Sequence, residues 1–116
     1  MNVKIAANGR EVAARCVVAA SMRARMVGLL NHDSLPAGEG MLLDPCNNVH
    51  TFFMRFAIDV VFLGKDNTVL AIDELRPWRI SRLRLRARKV LELPLGACRA
   101  VGLKPGDRLE FTPCSS

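Results

Sequence analysis

Residues 50–63, His-Thr-Phe-Phe-Met-Arg-Phe-Ala-Ile-Asp-Val-Val-Phe-Leu, constrain the fold of this chain more than any other stretch. The run is apolar enough to be core, yet it carries His50, Arg55 and Asp59. A lone charge is costly to remove from water, so Asp59 must find hydrogen-bond donors inside the fold. Residues 58–63 are apolar on both faces, which marks a central strand covered from two sides. On that strand Asp59 shares a face with Val61 and Leu63 and points at packed surface. A bend at residues 55–57 separates it from a strand-like stretch at 49–53.

The remaining pattern is a series of short strands. Residues 2–7 and 11–19 read as a hairpin around Asn8-Gly9. Ser21 is a candidate N-cap, and Met22, Met26, Leu29 and Leu30 follow at helical spacing, predicting a short helix that ends near Asn31. Met at that spacing is core filler rather than a ligand set. Pro36, Gly38 and Gly40 exclude regular structure from the polar stretch 31–40. Further strands are expected at 41–43, 69–75, 89–93 and 108–112, with the loop 64–68 joining the central strand to its hairpin partner. Pro94 sits at a strand end, where a missing N–H is tolerated. Residues 97–101 predict a helical turn closed by Gly102. The sum is an α+β, mostly β, single domain over residues 1–116, with a curled or barrel-like sheet and one or two short helices. Closure is the simplest way for a small β-protein to hide its edges.

At 116 residues there is room for one modest core. The formal charge is +6 and the pI is about 9.8, which favours acidic partners but also serves solubility. The first ten residues lack the apolar core of a signal peptide, and no uninterrupted run approaches the ~18 residues of a membrane span. These features point to a cytoplasmic chain with no membrane partner. Cys16, Cys46, Cys98 and Cys114 are widely spaced, with no Cys-x-x-Cys and no paired histidine motif. No metal site and no cofactor is therefore expected. Cys16 reads as core and Cys114 as an exposed thiol. Cys46, shortly before His50, is the one cysteine near other reactive groups, and nucleophilic work would need a neighbour that stabilises the thiolate.

Several phrases occur together and in order: Gly-Leu-Leu (28–30), Gly-Glu-Gly-Met-Leu-Leu (38–43), His-Thr-Phe-Phe-Met-Arg-Phe (50–56), Ile-Asp-Val-Val-Phe-Leu (58–63), Val-Leu-Glu-Leu-Pro-Leu-Gly (90–96) and Gly-Leu-Lys-Pro-Gly-Asp (102–107). In this arrangement the chain resembles the uncharacterised prokaryotic family known as domain of unknown function 192, over about residues 12–111. The resemblance implies a mainly β single domain and no established activity, cofactor or catalytic residue. Ala57 stands where that family often has proline, which bears on the bend rather than on chemistry. Many relatives carry an export or lipoprotein signal, a feature this chain does not display.

His50 is a candidate base or ligand contact, because its unperturbed pKa lies near ~6.5, although backbone hydrogen bonding at a strand mouth ranks ahead of that role. Asp59 is expected to be a structural clamp, satisfied by loop N–H groups or by Arg55 or Arg79, before it is an acid or base. Residues 76–89 hold Arg76, Arg79, Arg82, Arg84, Arg86, Arg88 and Lys89 with no acid among them. If extended, 82–88 would set its arginines on one side and Leu83, Leu85 and Ala87 on the core. Arg82, Arg84, Arg86 and Arg88 are then anion-binding candidates, with Trp78 placed to stack on a ring. A solvated edge whose arginines deter aggregation explains the segment equally well.

Three readings follow, in rank order. The first is a non-catalytic binding module, in which His50, Arg55, Asp59, Trp78 and Arg79 border a pocket for an anionic small molecule or an acidic protein segment. The second is an enzyme using His50 or Asp59 in acid/base chemistry. The third is nucleic-acid binding through 76–89, disfavoured because one tryptophan is no set of stacking aromatics. Neither ligand nor oligomeric state is encoded in a recognisable motif.

Overall fold

The computed structural model describes residues 1–19, 34–52 and 54–114. The strands among them are β1 (Asn2–Ile5), β2 (Glu11–Ala13), β3 (Arg15–Ala19), β4 (Glu39–Leu43), β5 (Ile58–Leu63), β6 (Val69–Leu75), β7 (Lys89–Pro94) and β8 (Leu109–Thr112). One short helix, α1 (Ala97–Val101), precedes β8 and ends on Gly102, whose φ of 71° only glycine adopts without strain. The helix expected from Ser21 to Asn31 lies outside the described residues.

The strands form two sheets. One has five strands in the order β3-β4-β7-β5-β6, and the other has three in the order β2-β1-β8. Every pair is antiparallel except β3–β4. The domain is mostly β, as its patterning requires, and neither sheet closes into a barrel. Instead the two faces of the five-stranded sheet are covered separately. On the first face Leu42, Val61, Leu63, Leu91 and Leu93 pack with Val3, Ile5, Val12 and Leu109 of the small sheet and with Cys98 of α1. On the second face Met41, Leu43, Ile58, Val60, Phe62 and Val90 pack with Val49, Met54 and Ala87 from the connecting loops. All six residues of β5 are buried as a result.

Two strand expectations change. Residues 11–19 do not make one strand, because the chain bends at Ala14, where the N–H groups of Ala14 and Arg15 both donate to Gly38 O at 2.8 and 2.9 Å. That bend sends β2 to the small sheet and β3 to the large one. Residues 49–52 make a single bridge, His50 to Ile80, rather than a strand. Among the described residues no helix is long and apolar enough to cross a membrane.

Leu91, fully buried at the centre of β7, and Leu85, 81% exposed, give a direct contrast. Leu91→Ala should cost about 2–5 kcal/mol of stability. Leu85→Ala should change it by less than about 0.5 kcal/mol. Urea midpoints of the two variants measure this, and equal effects would contradict the placement of the core.

Candidate functional site

The loops over the second face are strapped together at Thr51, which is fully buried. Its backbone N–H donates to Arg79 O at 2.8 Å, and its carbonyl accepts the Trp78 N–H at 2.9 Å. Its hydroxyl donates to Arg76 O at 2.5 Å and accepts the Arg79 N–H at 2.9 Å. Next to it, Ser81 N–H donates to Val49 O and Ser81 Oγ accepts the Val49 N–H, both at 2.8 Å. A backbone gripped this way can hold an unusual conformation, and Trp78 sits at φ 62°. That region is unfavourable for a bulky residue.

The strap aligns three rings. His50 stacks on Phe52 with centroids 4.8 Å apart, and Phe52 lies 6.1 Å from Trp78 at an interplanar angle of 32°. Phe52 N–H donates to His50 Nδ1 at 3.3 Å. Trp78 is 55% exposed, and Arg76 and Arg79 on either side of it are exposed as well. The structure therefore joins His50, Trp78 and Arg79 in one surface, with Arg55 exposed in the bend at residues 55–56.

Asp59 belongs to a different place. It is 1% exposed on the first face, where Oδ2 accepts the Cys98 N–H at 3.0 Å. The carboxylate thus fastens β5 to the first turn of α1. Its donor is a backbone N–H, one of the two kinds of partner the sequence called for, while Oδ1 has no hydrogen-bond partner among the described residues. Asp59 borders a cleft of about 490 Å³ with residues 72–75, 80–82, Cys98 and Arg99. His50, Arg55, Trp78 and Arg79 are not among the residues that line it.

The thiols are arranged for structure. Burial pushes the Cys98 thiol far up, and the neighbouring Asp59 charge adds to the shift. Burial likewise raises Cys16, to about 11. Cys46 is half-buried and its thiol donates to Asn48 O at 3.0 Å.

The arginine segment is not a strand. After the bridge at Ile80 it runs irregularly through a turn at Leu85 and Arg86. Arg84 turns inward, its Nη2 lying 3.2 and 3.3 Å from the Asp73 carboxylate oxygens and its guanidinium 5.3 Å from the Phe62 ring centre. The expected alternation therefore breaks down at residues 83–85, because Leu83 and Leu85 face outward at 58% and 81% exposure, while Ala87 is buried as expected. Arg82, Arg86 and Arg88 are exposed, and no ion pair engages them among the described residues. Sequence reasoning also missed three polar anchors: Thr51, Ser81 and the fully buried Glu92, which lies opposite Met41 and Val60. Glu92 was findable by the test that found Asp59, a carboxylate inside an apolar strand.

The family model described as Uncharacterized ACR, DUF192, matches residues 3–111. Proteins of the same kind, named UPF0127, include one from Pyrococcus abyssi, 40% identical over 63 residues that make up 54% of each chain. Another, from Pyrococcus furiosus, is 41% identical over 64 residues, or 55% of each chain. The matched stretch thus spans about half the length of these curated relatives. Among solved structures, a Sinorhizobium meliloti protein provisionally described as a transcription regulator superposes with a TM-score of 0.77 at 28% identity, covering 94% of this chain and 91% of its own. A Novosphingobium aromaticivorans protein of unknown function superposes with a TM-score of 0.78 at 21% identity, covering 96% and 84%, and shares the fold.

Asp59→Ala removes the acceptor for a buried N–H and should cost about 1–3 kcal/mol, read as a lowered urea midpoint. A folded variant of unchanged stability would remove Asp59 from its structural role. The buried thiols predict a pH effect of definite sign. Unfolded thiols titrate near 9.0, whereas Cys16 and Cys98 hold their protons to higher pH in the folded state. From about pH 9 upward the unfolded chain therefore binds fewer protons, and stability falls by up to about 1.4 kcal/mol per pH unit for each thiol. Unfolding curves from about pH 8 to 10 should show this decline in the wild type, and a flatter one in the Cys16→Ala/Cys98→Ala variant.

Proposed function

The chain belongs to the DUF192 family, whose members are uncharacterised, and from its geometry we propose that it is a non-catalytic binding module for anionic ligands. The binding surface is the ring group His50, Phe52 and Trp78 with Arg76 and Arg79 at its edge. One observation carries this reading: an exposed tryptophan is held in a left-handed backbone conformation by hydrogen bonds to a buried threonine. Such a conformation costs about 1–3 kcal/mol and persists only where its surroundings enforce it. Strained, exposed aromatic residues concentrate at ligand sites, so the expense is accounted for if Trp78 must present its face.

The chemistry suits an anion with a flat or apolar face. Arginine supplies charge-assisted hydrogen bonds to carboxylate or phosphate, and the rings supply stacking area. Binding ranks above catalysis because Asp59 is committed to the Cys98 N–H and the two buried thiols are kept protonated. A nucleic-acid reading, suggested by the description of the Sinorhizobium meliloti neighbour, rests on exposed Arg82, Arg86 and Arg88. It lacks Arg84, which Asp73 already occupies.

Trp78 is the single tryptophan, so intrinsic fluorescence reports the site directly. Titration with phenyl phosphate should change its emission saturably, while neutral benzyl alcohol should not. Arg79→Ala should weaken phenyl phosphate by roughly ten- to a hundred-fold, the loss of one charge-assisted hydrogen bond of about 1.5–3 kcal/mol. Silence towards phenyl phosphate, inorganic phosphate and benzoate at millimolar concentration would overturn the proposal. Tight oligonucleotide binding that collapses with salt and with Arg82, Arg86 and Arg88 replaced by Ala would favour the nucleic-acid reading instead.

A further inference from the structure

A second surface lies along β6, the last strand of its sheet, whose one strand partner is β5 and whose first residue, Val69, is bonded to Gly106 and Asp107. Residues 80–86, part of the loop layer over the second face, pass alongside β6 in the opposite direction. The cleft of about 490 Å³ has residues 72–75 with Asp59, Cys98 and Arg99 on one side and 80–82 on the other; of its carboxylates, Asp73 is paired with Arg84, Glu74 with Arg99, and Asp59 is buried. A hollow of about 450 Å³ continues it, with residues 70–71 facing 83–86. Across the whole length no backbone hydrogen bond joins β6 to residues 80–88 among the described residues. Those residues direct their N–H groups elsewhere: Ser81 to Val49 O, Arg84 to Asn47 O and Arg88 to Leu63 O. Among the described residues Arg84 bridges the two, through its ion pair with Asp73 and its contact with the Phe62 ring. The layout leaves the outer edge of β6 open along residues 70–75, beside a loop wall that runs antiparallel to it.

We infer that this groove is a docking site for an extended acidic segment of a partner protein, which adds to β6 as a strand. Main-chain hydrogen bonds to the open edge supply affinity that depends little on sequence. Specificity comes from the wall. Arg82 and Arg86 are exposed with no ion pair among the described residues, and Leu70, Leu83 and Leu85 are exposed beside them. An occupant that alternates acidic and apolar side chains would meet both sets. The same arginines select against a second copy of this chain, which would bring its own +6 charge and its own arginine wall to the edge.

The test uses the full chain, labelled with nitrogen-15, and an N-acetylated octapeptide of alternating Glu and Val, with a Lys–Val octapeptide as control. Saturable shifts at the amides of residues 70–75, with slowed hydrogen exchange there, are expected for the Glu–Val peptide only. The Arg82→Glu/Arg86→Glu variant alters exposed side chains, so its spectrum should stay folded while affinity drops at least roughly ten-fold. The inference is overturned by shifts centred on His50 and Trp78, by equal binding of the Lys–Val peptide, or by undiminished binding in the variant. It is equally overturned by no binding at millimolar peptide. Two other results would give the groove a different occupant: retention on phosphatidylglycerol vesicles without peptide binding, and self-association through residues 70–75.

Discussion

The burial of β5 on both faces is the constraint from which the rest of this structure follows. A strand with six buried residues needs backbone partners on both sides and an apolar layer above and below. β6 and β7 supply the partners, and the three-stranded sheet with α1 supplies one layer. The other layer is made without regular structure, by Val49, Met54 and Ala87 reaching in from loops. Loop backbone laid against a core must satisfy its polar groups locally. Thr51 and Ser81 do this, and they are buried because they do it.

The surface chemistry is a by-product of that solution. Once the 76–81 turn is bonded to Thr51, Trp78 is held in a left-handed backbone conformation and stands outward beside Phe52. Once Arg84 is drawn to Asp73 and the Phe62 ring, its neighbours Leu83 and Leu85 are turned to solvent. Each exposed feature is thus paired with a buried one that fixes it. At both surfaces it is the backbone carrying the exposed side chains that folding has already fixed.

Local pattern carried much of this fold into view. The both-face apolar run of β5, its hairpin with β6, Pro94 at the end of β7 and Gly102 after α1 are all decided within a few residues of themselves. So is the face of Asp59, because strand alternation fixes it. What local pattern does not carry is pairing at a distance. The parallel union of β3 and β4 and the division into two sheets depend on contacts between remote segments. The orientation of the arginine segment fails for the same reason, since alternation there is overruled by one ion pair to Asp73. Thr51 read as an ordinary strand residue because its hydroxyl partners, Arg76 and Arg79, lie in another loop. At the candidate surface, His50, Trp78 and Arg79 were recognisable by type, whereas the strap that orients them was not.

The pairing of β1 with β8 reaches beyond static architecture. These strands come from opposite ends of the described chain, and a hairpin of β1 and β2 is marginal alone. During synthesis the first face of the large sheet therefore stays uncovered until the segment holding β8 has left the ribosome. A nascent chain with that face bare exposes Val61, Leu63, Leu91 and Leu93 together. The interval before β8 docks is when that apolar face is most open to association with other chains.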